Sequence, residues 1–242
     1  MKLDCYFTPS EVTEASLKGR VVVIIDVLRS CTTIAYALLN GAEKIIPAGT
    51  VEAATKLMSS LDRESTLLCG ERDGKKVSGF DLGNSPLEYT REAVAGKTLV
   101  FASNNGTKLM SRAIKAEEQL VCSFVNVGQV VATLGSQGVE PVILCSGTSG
   151  RFSLEDSVCA GMVAHGLEKT HADAWELNDG AKAALALYEK WGGDIYGMVS
   201  GSSHGKFLLE LGFGLDLEVC SRVDSVPVLC VLKEGRITAS HQ

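Results

Sequence analysis

Val-Val-Val-Ile-Ile-Asp-Val-Leu-Arg, residues 21–29, carries five β-branched residues in a row into a carboxylate. Valine and isoleucine on both faces of a short run mark a strand covered on both sides, as in a parallel sheet flanked by helices. Working outward, helical patterning follows at 32–39 and 51–61, with strand patterning at 44–47 and at 66–69, which ends on Gly70. The same order returns downstream: strand 98–102 ending on Ser103, helix 107–116, strand 119–125, helix 127–134 and strand 141–145. Asp26 and Ser103 stand 77 residues apart, as do Gly70 and Gly147.

This spacing predicts two duplicated β-α-β-α-β units, about 21–74 and 98–151, inside a single α/β domain spanning 1–242. The expected architecture is a mostly parallel sheet with helices on both faces. A helical C-terminal part follows, with helices over about 154–169, 179–191 and 206–211 and a terminal β-hairpin over 226–231 and 236–239. Ligands of such sheets bind beyond the carboxyl ends of strands. Loops 26–29, 70–74, 103–107 and 146–151 are therefore expected to share one functional edge.

Composition narrows the function classes. The 242 residues are 45% apolar, enough for a large core without staples. Acidic residues number 29 against 23 basic ones, a net charge of −6, and no basic cluster exceeds Lys75-Lys76, so nucleic acid and anionic membranes are not expected partners. No apolar run near the start approaches a membrane span or a signal peptide. Eight cysteines without a CxxC pair read as buried, reduced thiols of a cytoplasmic protein. His165, His171, His204 and His241 show no zinc spacing. The composition is compatible with a homo-oligomer.

The loops carry the chemistry. A carboxylate at the end of an apolar strand, Asp26, loses hydration, with Arg29 the nearest compensating charge; such acids are enriched at sites but also form structural ion pairs. Asn105, Gly106 and Thr107 join a strand to a helix, where amides suit an anion, though Asn-Gly is also a common turn. Ser85, Pro86 and Glu88 read as a capping box, leaving Asp81 and Asn84 in the polar loop before it as candidates for the same edge. Ser153 and Asp156 form a second such pattern, with Asp156 on the inward helix face and Glu155 on its flank. Cys145 to Arg151, through Gly147, resembles the CxxxxxR phosphate loop of cysteine phosphatases, but Leu144 stands where a histidine would precede it. His204, in Gly-Ser-Ser-His-Gly, is a candidate acid or anion contact. Gly70 to Lys75 is one residue short of a Walker loop, and Leu28 stands where haloacid-dehalogenase phosphatases carry a second aspartate.

Taken together, Asp-Val-Leu-Arg at 26–29, Gly-Glu-Arg-Asp-Gly at 70–74, Gly-Phe-Asp-Leu-Gly-Asn-Ser-Pro at 79–86, Asn-Gly-Thr at 105–107, Glu-Asp at 155–156 and Ser-His-Gly at 203–205 resemble the 2-phosphosulfolactate phosphatase family. The resemblance covers nearly the whole chain. It implies an α/β fold and Mg²⁺-dependent hydrolysis of 2-phosphosulfolactate to sulfolactate and phosphate, a step in a route to coenzyme M. On that reading a small anionic phosphate monoester is the partner. Asp26, Glu71, Glu155 and Asp156 are the candidate metal carboxylates, and Asp26, Arg29 and His204 the catalytic candidates; the nucleophile is either Asp26, forming an acyl phosphate, or water activated by the metal. Substrate binding would fall to Arg72, Asp81, Asn84, Ser85, Asn105, Gly106, Thr107, Cys145, Gly147 and Arg151. The alternatives are a related 2-phospho-hydroxyacid such as phospholactate or phosphoglycolate as the substrate, a metal-independent cysteine phosphatase built on Cys145 and Arg151, and a noncatalytic binder of small anionic metabolites.

Overall fold

Alternate residues of strand Val21–Ile25 feed two different cores. Val23 and Ile25 join one cluster, Val22 and Ile24 another, and all four are fully buried. Helices therefore cover both sheet faces, as the apolar run requires. The structure, a computed structural model, describes residues 1–170 and 175–240; His171 and His241 lie outside them.

The strands are β1 (Lys2–Tyr6), β2 (Val21–Ile25), β3 (Lys44–Ala48), β4 (Thr66–Arg72), β5 (Lys75–Lys76), β6 (Thr98–Ala102), β7 (Glu118–Cys122), β8 (Val142–Cys145), β9 (Glu176–Leu177), β10 (Leu229–Lys233) and β11 (Arg236–Ser240). The helices are α1 (Ser30–Leu39), α2 (Val51–Met58), α3 (Arg91–Val94), α4 (Gly106–Arg112), α5 (Val127–Gln137), α6 (Leu154–Thr170), α7 (Asp179–Trp191), α8 (Ile195–Gly201), α9 (Ser203–Glu210) and α10 (Gly214–Cys220). Among the described residues all the strands belong to one sheet, in the order β5-β4-β6-β3-β11-β10-β7-β2-β8-β1-β9.

The two segments read from the sequence are interleaved. β6 pairs in parallel with both β3 and β4, while β2 pairs in parallel with both β7 and β8. The first strand of each segment thus stands between the other segment's second and third strands. The terminal hairpin β10–β11 joins these parallel blocks, and all three pairings from β3 to β7 are antiparallel. The blocks therefore run in opposite senses, so the shared edge expected of a single parallel sheet is not how their loops meet.

Local chemistry moves several boundaries. β4 runs on to Arg72 because Asp73 and Gly74, both at positive φ, make a tight hairpin turn into β5. The strand expected to reach residue 125 stops at Cys122, where the Asn126 side chain accepts from Ser123 N at 2.9 Å across a 3-10 turn. α9 starts at Ser203 because the Ser202 side chain accepts from Gly205 N at 3.0 Å. That places His204 in the first turn of a helix. β1, α8 and α10 carried too little periodicity to be expected. All eight cysteines are buried and unpaired. Among the described residues no helix is long and apolar enough to cross a membrane.

Candidate active site

The four strand-end loops meet in one cleft of about 270 Å³, whose walls include Asp26, Arg29, Glu71, Asn105 and Thr148. His204 and Phe207 of α9 close it from the helical part. The volume suits a small phosphate ester and is slightly below the usual range for drug-sized ligands.

Asp26 follows β2 directly and is 2% exposed. Its Oδ1 accepts from Ser30 N at 3.3 Å. Burial pushes its carboxyl up to about 6, against the opposing pull of His204 and the Ser30 hydrogen bonds. Glu71 reaches the cleft from β4 and bridges two loops: Oε1 accepts from Asn104 N at 2.9 Å and Oε2 from Gly74 N at 2.8 Å. Arg29 donates through Nη1 to Asp216 Oδ2 at 2.7 Å and through Nη2 to the Gly74 carbonyl at 2.6 Å. His204 Nδ1 lies 3.6 Å from Glu155 Oε1 and 3.5 Å from Thr148 Oγ1. Burial works to raise the Glu155 carboxyl, but His204 and the amide at the helix start outweigh it and hold the group below the usual range.

The charge pattern follows from these contacts. Both basic side chains on the wall already face a carboxylate, Arg29 with Asp216 and His204 with Glu155. Asp26, Glu71 and Asp73 also line the cleft, so acids predominate there.

Other candidates sit elsewhere. Asp156 is buried beneath the cleft, where Oδ1 accepts from Val27 N at 2.9 Å and Oδ2 from Ser146 Oγ at 3.0 Å and Gly147 N at 3.1 Å. Burial, with Asp26 and Glu155 close by, pushes its carboxyl well above the usual range. It braces the ends of β2 and β8, and the expected cap survives only as Asp156 N donating to Ser153 Oγ at 3.3 Å. Gly147 is drawn into that brace. Thr107 is fully buried and exchanges hydrogen bonds with Ser103, which fixes the loop and takes its hydroxyl out of the cleft. Gly106 packs against the Asp26 carboxylate, while Asn84 lines the cleft with a buried Oδ1 that has no protein partner.

Several expected substrate contacts are corrected. Strand alternation turns Arg72 away from the cleft as Glu71 turns in, and the exposed Arg72 pairs with Glu52 at 3.0 Å. Asp81 is held by the fork of Arg63 at 2.7 Å on each oxygen, which keeps its carboxyl below the usual range. Ser85 is not a side-chain cap; its Oγ donates to Asp216 Oδ1 at 2.7 Å. Arg151 and Thr148 pair through their backbones, closing a tight turn over Ser149 and Gly150 at positive φ, and the Arg151 side chain is left in solvent. Cys145 is fully buried in the core. A hydrogen bond with Cys5 and this burial push its thiol well above the ordinary value, the opposite of an activated nucleophile. Sequence reading missed Asp216 and Phe213, which no neighbouring motif marks.

Of the expected metal carboxylates, Asp26 and Glu71 line the cleft, Glu71 with each oxygen also accepting one backbone N–H; Glu155 is turned to His204, and Asp156 is buried below, outside the cleft wall. Among the described residues no three His, Cys, Asp or Glu side chains are grouped as metal ligands. Mg²⁺ ordinarily takes one or two protein carboxylates and completes its shell with water and substrate phosphate, so Asp26 with Glu71 fits that smaller set.

A model of the family described as 2-phosphosulpholactate phosphatase matches residues 6–235. Curated relatives carry the name probable 2-phosphosulfolactate phosphatase. That of Caldanaerobacter subterraneus subsp. tengcongensis is 38% identical over 241 residues, covering 100% of this chain and 99% of its own. That of Thermotoga petrophila is 43% identical over 216 residues, 89% of this chain and 90% of its own. That of Gloeobacter violaceus is 40% identical over 230 residues, 95% of this chain and 94% of its own.

Proposed function

Because this chain belongs to the 2-phosphosulfolactate phosphatase family, we propose that its cleft hydrolyses 2-phosphosulfolactate to sulfolactate and phosphate, with Mg²⁺ held by Asp26 and Glu71. The observation that carries the metal requirement is the charge pattern of the wall. A phosphate monoester bearing a carboxylate and a sulfonate is a small polyanion, and the basic groups that line the cleft, Arg29 and His204, already face Asp216 and Glu155. Three further acids, Asp26, Glu71 and Asp73, would repel it. Mg²⁺, when bound, supplies the positive charge that the transferring phosphoryl group needs.

The protein's own groups divide the remaining work. Arg29 offers N–H groups to the phosphoryl oxygens from a fixed fork, which favours planar oxyanion recognition. Asn105 and Thr148 supply neutral polar contacts along the wall. His204 protonates the leaving alkoxide of the 2-hydroxyacid, with Glu155 behind Nδ1 orienting the ring so that Nε2 is free for that transfer. With this substrate the reaction lies on a route to coenzyme M, and eight buried, unpaired cysteines suit a reducing compartment such as the cytoplasm.

The test is phosphate release from 2-phosphosulfolactate by wild type and Asp26→Asn, each with Mg²⁺ and with EDTA. Wild-type turnover that EDTA abolishes and Mg²⁺ restores, and that Asp26→Asn lacks, is expected. Full turnover in EDTA would refute the metal reading, and tight binding without release would point to a noncatalytic binder.

A further inference from the structure

Arg29 is immobilised on three sides. Asp216 takes Nη1, the Gly74 carbonyl takes Nη2, and the Phe213 ring lies against the guanidinium with its centroid 4.2 Å from Cζ. The pair is almost solvent-free, at 2% and 3% side-chain exposure. Asp216 is fixed in turn, because its other oxygen accepts from Ser85 Oγ at 2.7 Å. The segment carrying Ser85 is anchored one residue earlier, where the Asn84 carbonyl accepts from Thr33 Oγ1 at 2.8 Å. The chain of contacts therefore runs from the 79–86 loop through α10 to the cleft wall.

A buried ion pair is weak support for stability, since well-packed apolar residues of similar volume often do as well. An apolar pair lacks a planar donor fork held in one orientation. We infer that Asp216 is a positioning residue: through the Ser85–Asp216–Arg29 chain it sets the direction in which the remaining N–H groups of Arg29 meet the phosphoryl group. This rests on the phosphatase reading through the role given to Arg29. It also gives Ser85, in the most distinctive motif of the sequence, a task that capping does not.

The experiment is a double-mutant cycle on kcat/KM for 2-phosphosulfolactate with Mg²⁺, using Arg29→Gln, Asp216→Asn and the double variant, with thermal melting to confirm folding. Arg29→Gln is expected to lose about 10²–10³-fold, and Asp216→Asn about 10–100-fold as orientation is lost. In the Arg29→Gln background, Asp216→Asn should add less than about threefold, because its effect passes through Arg29. Losses that multiply in full, or a folded Asp216→Asn with wild-type kcat/KM, would overturn the positioning role. Should Asp216→Asn fail to fold, Ser85→Ala replaces it in the same cycle, with a loss of about 3–10-fold that vanishes in the Arg29→Gln background; multiplication there would overturn the inference equally. Undiminished turnover in Arg29→Gln would instead refute the assignment of Arg29 itself.

Discussion

Gly106 backs directly onto Asp26: a Cβ at position 106 would lie 2.7 Å from Asp26 Oδ2 and 2.8 Å from Ser30 Cβ. Both neighbours are buried, so neither has open space to move into. Gly106→Ala should therefore displace the carboxylate. A loss of about 10–100-fold in turnover is expected from a misplaced reacting geometry, with about 1–3 kcal/mol of destabilisation from overpacking. Phosphate release and urea unfolding on the same preparation check both, and an unchanged rate would mean that the Asp26 position is not critical.

Asp26 also predicts a pH-dependent stability. Its folded-state value of about 6 lies above the ordinary carboxylate value, so the native state keeps the proton where the unfolded chain has released it. Stability contributed by the protonated group is present in acid and is lost as pH rises from about 4 through about 6. In Mg²⁺-free buffer Asp26→Asn should be more stable than wild type at pH 7, by up to about 3 kcal/mol. The advantage should shrink toward zero by about pH 4. Urea unfolding at the two pH values reads this directly; a variant less stable than wild type at pH 7 would contradict a buried, poorly compensated charge.

His204 as the acid for the leaving group predicts a dependence on that group. For an alkyl ester such as 2-phosphosulfolactate, His204→Ala should lose about 10²–10⁴-fold in turnover. For p-nitrophenyl phosphate, whose leaving group is a stable phenolate and needs no proton, the loss should be only a few-fold. Equal losses on both substrates would assign His204 to binding.

Arg72, Arg151 and Cys145 are expected to be dispensable for turnover. Arg72 and Arg151 point into solvent, and the Cys145 thiol is buried and held protonated. Arg72→Ala, Arg151→Ala and Cys145→Ala should each keep kcat/KM within about twofold, as surface or volume-reducing changes away from the cleft do, with Cys145→Ala showing some loss of stability. Inactivity in a folded Cys145→Ala would revive the thiol mechanism.

The contrast between Glu71 and Arg72 shows where sequence reading reached and where it stopped. Apolar runs announced β2, β6 and β8 because burial on both faces leaves little freedom in composition, and the strand ends located Asp26, Glu71 and Asn105. Reading 70–74 as an open loop concealed its alternation. Once Asp73 and Gly74 turn the chain into β5, one of the two charged residues must face in and the other out. Asp81 and Arg151 were misplaced for a related reason: a charge in a polar loop says nothing about a long-range partner such as Arg63 or about the turn that aims it. Asp216 and Phe213 were invisible because a short helix without strong periodicity and the residue that caps its start supply them, and only their packing beside Arg29 gives them a role.

The interleaved strand order governs how this protein can come into being. β2, which delivers Asp26, takes both neighbours, β7 and β8, from beyond residue 117. β6 must in turn enter between β3 and β4, made earlier in the chain. The seam between the two blocks is closed last of all, by the hairpin formed from residues 229–240. During synthesis the first half therefore waits without the partners that its central strand needs. Such distant pairings slow folding, and neither half, produced alone, would contain a finished cleft.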